Sequence, residues 1–335
     1  MLLVCVAGVA VSCCFAGCAP SSPASVGDLP LTFIRDIRLP GEATRLDYQV
    51  IDGQSNRLYL AHLGDSAVDV VDLVTDKVET IDNIASAHGL AAAPDQHRII
   101  ASASGTNEAV IIDTRTNQVT ARVPTGGTPD GIAYDPTTGT AFVSNENDHV
   151  ETVFNVASHR VTASIDIGGH AGNSIYDPVS RTILVNVQSR NQLITIDPET
   201  DRITGRISVE GCDSNHGLFV DGMNRRAFVA CEGNATLLVV DLRSGRTTQR
   251  FPVGETPDVF AFDNGLHRLY LASESGVVSV FHAGPGPLRK LGESKLADGA
   301  HTVAVDQATH RVYFPLANVD GKPALRIMSA KQLNK

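Results

Sequence analysis

A short pattern recurs seven times along the chain, and no other feature of the sequence restricts its fold as much. The pattern is an apolar pair, usually Asp, a polar turn, and an apolar residue that resumes a strand. The copies are VVDLVTDKV at 70–78, IIDTRTNQV at 111–119, VFNVASHRV at 153–161, TIDPETDRI at 195–203 and VVDLRSGRT at 239–247, followed by two degenerate ones, VFHAGPGPL at 280–288 and RIMSAKQL at 326–333. They are spaced by about 42 residues, with the last interval slightly stretched. Each unit holds four short segments of β character separated by Gly, Asn, Asp and Pro turns. In the third unit these are 131–135, 140–145, 149–156 and 160–167. Alternation of period two dominates and helical periodicity is nowhere sustained. A four-strand repeat of this length is the signature of a propeller blade. The chain of 335 residues would otherwise suggest two or more domains. The repeat instead predicts one all-β, seven-bladed β-propeller of four-stranded antiparallel blades over residues 31–335.

The two ends of that span predict how the ring closes. The seventh unit runs out after RIMSAKQL with no chain left for an outer strand, whereas FIRDIRLPGE at 33–42 resembles the outer strands TARVPTGG at 120–127 and TASIDIGG at 162–169. An N-terminal strand that completes the last blade removes the exposed sheet edges of an open array.

Two stretches carry a family resemblance: PTGGTPDGIAYDPTTGTAFVSNENDHVETVFNVASHRVTASIDIGG at 124–169 and PVGETPDVFAFDNGLHRLYLASESGVVSVF at 252–281. Their order of Val-Gly-x-x-Pro, inner apolar strand, turn, Tyr-Val-like strand and Val-x-Val strand resembles the YVTN-repeat, or YncE-like, β-propeller family of exported proteins. The resemblance spans about 300 residues and implies the propeller fold. Propellers host both binders and enzymes, so it leaves the activity open.

Residues 1–18 are apolar, with small residues toward Cys18, as in a signal peptide. They fall short of the about 20 apolar residues that a membrane helix needs. Phe15-Ala16-Gly17-Cys18 resembles the bacterial lipobox, which implies cleavage before Cys18 and its lipidation. Residues 19–30, rich in Pro and Ser, then form a tether. The expected location is the cell envelope, lipid-anchored on the periplasmic side; Ala19 lacks the Asp that resembles an inner-membrane retention signal, which favours the outer membrane. A net charge of −10 without a basic cluster argues against a nucleic-acid partner. The absence of Trp disfavours an aromatic platform for polysaccharide. The expected partner is a protein or small molecule, and the expected state a monomer.

One repeat position carries chemistry. Counting back five residues from Asp52, Ala93, Asp135, Asp177, Asp221, Asp263 and Asp306, which close the first strand of each unit, gives Asp47, His88, Asp130, Gly172, His216, Asp258 and His301. Six of the seven are Asp or His, and Gly172 is flanked by His170 and Asn173, either of which can supply a polar group. First strands of a propeller face its channel, so these residues form a ring at one mouth. Such side chains can hold neighbouring backbone by hydrogen bonds, bind an organic ligand or partner, or ligate a divalent metal. His88, His216, His301 and Asp47 are the metal candidates, with His301–Asp47 and His88–Asp47–Asp130 as the adjacent combinations.

Cys212 and Cys231 are the cysteines left after the signal and Cys18. A hairpin about 222–224 brings them near each other, which allows a disulfide in an oxidising compartment; redox or metal roles beside His216 are the alternatives. Glu146, Glu232 and Glu274 follow the second strands of units three, five and six and are candidates for acid–base work. No G-x-S-x-G, P-loop or H-E-x-x-H motif occurs. The sequence therefore favours a non-catalytic, envelope-anchored binding or scaffolding propeller. The alternative is a metal-assisted, lactonase-like hydrolase or lyase using the ring.

Overall fold

In the computed structural model, which describes residues 29–331, the chain forms seven four-stranded antiparallel sheets. The inner strands of blades one to seven are Gln49–Asp52, Ala87–Ala93, Pro129–Asp135, Ala171–Asp177, Asn215–Asp221, Pro257–Asp263 and Ala304–Val305. Within each of blades one to six the strands follow sequence order from inside to outside. The predicted architecture is the observed one.

Burial explains why this pattern gives blades. The second and third strands are sandwiched between neighbouring sheets, so both of their faces are covered; Thr140–Asn145 and Val150–Asn155 are buried at nearly every position. Such strands read as continuous apolar runs. Outer strands keep one face in solvent and alternate, as Arg202–Ser208 and Arg246–Pro252 do. Each pair of adjacent blades encloses its own core. Phe142 and Val153 of blade three pack with Ile183 and Ile194 of blade four, and Phe228 and Leu237 of blade five pack with Leu269 and Phe281 of blade six. Leu58 and Val71 of blade one pack with Tyr313 and Leu325 of blade seven, which completes the circle.

The closing strand is Leu31–Arg38, antiparallel to Lys322–Ala330 from Leu31 opposite Ala330 to Arg38 opposite Ala324. It lies two residues ahead of the predicted start and ends earlier than expected, because Pro40 has no amide hydrogen to continue the ladder. Leu39 N still donates to Pro323 O at 3.0 Å. Arg326 grips Asp36 across this junction through two hydrogen bonds of 2.9 and 2.7 Å. Arg35 does the same with Asp76 of blade one at 2.8 and 2.6 Å. The signal segment, Cys18 and the tether up to residue 28 lie outside the described residues.

Candidate functional site: a polar ring at the channel mouth

The ring side chains leave their strands at irregularities in the sheet. The inner strand's pairing with its neighbour shifts register between Ala87 and Leu90, Pro129 and Ile132, Ala171 and Ser174, Asn215 and Leu218, and Pro257 and Val259. These bulges contain His88, Asp130, Asn173, His216 and Asp258. A bulge bends the strand and re-aims a side chain, here into the channel. Gly89 and Gly217 follow two ring histidines. A Cβ on either would sit 2.0 or 1.8 Å from the carbonyl oxygen of Asp130 or Asp258, the ring residue of the next blade. Glycine there lets adjacent blades close up.

Asp47, His88, Asp130, His216, Asp258 and His301 all face one another at this mouth. In blade four Gly172 lies against His216 backbone, and Asn173 supplies the polar group. His170 does not join the ring: it is exposed, with its imidazole 4.5 Å from that of His149. Three residues before Asn173, it sits in the loop ahead of the inner strand Ala171–Asp177, before the bulge that turns side chains inward.

Two residues unremarkable in the sequence organise the ring. Tyr48 of blade one reaches across it, sharing its hydroxyl proton between Asn173 Oδ1 at 2.7 Å and Asp258 Oδ1 at 3.2 Å, with His216 Nε2 at 3.5 Å. Below, Tyr48 and Asn173 join Leu90, Ile132, Ile175, Leu218, Phe260 and Val303 in lining a largely apolar channel cavity of about 320 Å³ that touches all seven blades. Arg45 donates through Nε to Asp47 Oδ2 at 2.8 Å and through Nη2 to Glu274 Oε1 at 2.8 Å.

Asp47 is the electrostatic centre of one side. Its Oδ2 lies 3.3 Å from His88 Nε2 and 3.6 Å from His301 Nε2. Burial would raise its pKa, but hydrogen bonds from His301 and His88, with their charges, hold the carboxyl well below the usual range. Burial opposes protonation of His88; the charge of Asp130 and the hydrogen bond to Asp47 overcome it and push His88 up to about 10. His301, with burial likewise opposed by Asp47, is pushed up to about 9. On the other side burial dominates. It drives Asp258 up to about 6 against the charges of His216 and His301, and it raises Glu232 against His216.

The glutamates divide. Glu232 Oε1 lies 4.0 Å from His216 Nδ1, and Glu274 Oε2 lies 3.6 Å from His301 Nδ1. Glu146 reaches the ring only through its charge on His216. The sets His216–Glu232–Asp258 and Asp258–Glu274–His301 each offer three ligand atoms within 4.8 Å of one another. Neither adjacent combination singled out in the sequence forms such a group among the described residues; Asp47 is instead occupied with His88, His301 and Arg45. Cys212 and Cys231 are joined as a disulfide with Cα atoms 5.3 Å apart. It ties the loop before His216 to the residue before Glu232.

The fold and site define a seven-bladed β-propeller with a charged, partly plugged channel mouth. Solved structures of the same fold include "Structure of U3-55K", with a TM-score of 0.74, 10% identity, and coverage of 89% of this chain and 98% of that one. "Crystal structure of RRP9 WD40 repeats" matches with a TM-score of 0.74 and 10% identity, covering 89% of this chain and 97% of that one. No protein-family model matches the chain, and no curated protein does.

Proposed function

We propose that this is an exported, lipid-anchored, non-catalytic binding propeller of the YVTN-repeat kind that docks a small polar ligand or a protein loop on its ring-bearing mouth. One observation carries this reading. Asp47 Oδ1, His88 Nδ1, Asp130 Oδ1 and His216 Nδ1, from four different blades, are buried without a hydrogen-bond partner within the protein. Buried polar atoms are nearly always paired, and leaving one unpaired costs about 1–3 kcal/mol. Such atoms gathered at one mouth are groups that a ligand's donors and acceptors can satisfy.

The ligand reading is tested by thermal unfolding of the full chain with a panel of small polar compounds, beside a variant carrying His88→Ala, His216→Ala and His301→Ala. A compound at 100 times its Kd stabilises by about 2.7 kcal/mol. The expected result is a shift of several degrees in the native protein and none in the variant. Equal shifts in both would move the docking face elsewhere. The anchor is tested separately by metabolic acyl labelling, expected in the native chain and absent from Cys18→Ala; label in both would reject it.

A further inference from the structure

We propose that His216, Glu232 and Asp258 bind one divalent transition-metal ion of the Zn²⁺ class, at the junction of blades five and six. The inference rests on the reading of this mouth as the binding face and assigns a ligand to one side of it. One imidazole and two carboxylates suit such an ion, and two carboxylates balance its charge.

The three ligand atoms already converge within 4.8 Å of one another. Tetrahedral bonds of about 2.1 Å place ligand atoms about 3.4 Å apart, so closure needs side-chain movements of about 1 Å. The group is more than a cluster of acids. His216 is 9% exposed and its Nδ1, the atom facing Glu232, has no partner within the protein. Asp130, 3% exposed, keeps Oδ1 unpartnered and Oδ2 3.7 Å from His216 Nε2. The surroundings also hold the ligands in place, as outer hydrogen bonds do around metal sites. Gln188 Nε2 of blade four donates to Glu232 Oε2 at 2.8 Å, and the Tyr48 hydroxyl donates to Asp258 Oδ1 at 3.2 Å.

The neighbouring set Asp258–Glu274–His301 has similar spacing but already contains a cation. The Arg45 guanidinium lies 2.8 Å from Glu274 Oε1 and 3.3 Å from His301 Nε2. A metal there would have to displace an arginine paired with two carboxylates. Among the described residues no Lys or Arg pairs with His216, Glu232 or Asp258; Gln188 and Tyr48 hydrogen-bond to the set, Asp130 approaches it, and Asp258 is shared with the neighbouring set.

The test is calorimetric titration of the tag-free full chain with ZnCl₂ and, separately, MnCl₂, with elemental analysis of the protein purified without chelator. The variants are Glu232→Gln, Gln188→Ala and Glu274→Gln, at partly exposed positions where folding is readily checked by circular dichroism. The expected result is one Zn²⁺ per chain. Affinity should fall by more than about 100-fold in Glu232→Gln, by about 10–100-fold in Gln188→Ala, and little in Glu274→Gln. No binding by the native protein overturns the site, as does unchanged affinity in folded Glu232→Gln. Loss in Glu274→Gln alone places the ion beside Arg45 and also overturns it. A polar compound that still shifts unfolding of a protein indifferent to Zn²⁺ sinks this inference and leaves the docking reading standing.

Discussion

The two sides of the channel ring use the same residue types to opposite ends. Around blades seven, one and two, Asp47 is clasped by Arg45, His88 and His301, so its charge is balanced inside the protein. Around blades five and six, Asp258, Glu232 and His216 approach one another with fewer charged partners, and burial rather than pairing sets the state of the acids. A polar ring in a propeller therefore need not act as a unit. One side behaves as a clamp between blades that still leaves Asp47 Oδ1 and His88 Nδ1 unpartnered, and the other gathers an imidazole and two carboxylates with no Lys or Arg among them.

The largest expected effect comes from breaking the clamp. Asp47→Ala leaves Arg45, His88 and His301 facing one another without their shared carboxylate, and loss of one member of a buried ion pair typically costs about 3–5 kcal/mol. Urea unfolding at neutral pH should show a loss of that size, whereas Asp258→Asn should leave stability unchanged or higher. Next in size is the disulfide beside the binding side. Cys212→Ser with Cys231→Ser should cost about 3 kcal/mol for a loop of this length, and should loosen the entrance to blade five while amide exchange around Asp47 stays as it was. Equal loosening on both sides would argue that the ring moves as one body.

Protonation sharpens the contrast because the signs differ. Asp47 has a depressed pKa, so its contribution is present above the ordinary value of 3.8 and is lost as pH falls below it. Asp258 has a raised one: the folded state holds its proton up to about 6, so stability from this group declines as pH rises from about 4 to about 6. Asp258→Asn should flatten that decline in unfolding measured between pH 4 and pH 7. The smallest effect is expected from Tyr48→Phe. It removes the hydroxyl that links Asn173 and Asp258 across the ring, a loss of about 1 kcal/mol, and should be read most clearly as a changed titration of Asp258.

The blades were legible because strand period, turn residues and repeat length all point the same way, and the closing strand because its composition matches that of other outer strands. Six ring positions were legible because each stands five residues before the repeat position that is Asp in six of the seven units. Blade four was legible only in part: the bulge that turns Asn173 inward and leaves His170 outside is a backbone irregularity that no side-chain pattern announces. Tyr48 and Arg45 were missed for a related reason. They stand one residue after and two before a ring position, and blades two, three and five place Gly where Tyr48 stands, so the repeat marks that position as empty. Glu232 and Glu274 were found by their place after a second strand. Their pairing with His216 and His301 depends on how blades turn against one another, as does the contact of Gln188 with Glu232 across blades four and five, and that lies beyond a one-dimensional pattern.

The most direct test of the unequal ring is a carbon-detected NMR titration of the Asp47 and Asp258 carboxyl groups in the metal-free protein. Asp47 should stay ionised down to the acid limit of the folded state, while Asp258 should titrate near 6. Two carboxyls titrating together, at ordinary values, would contradict it.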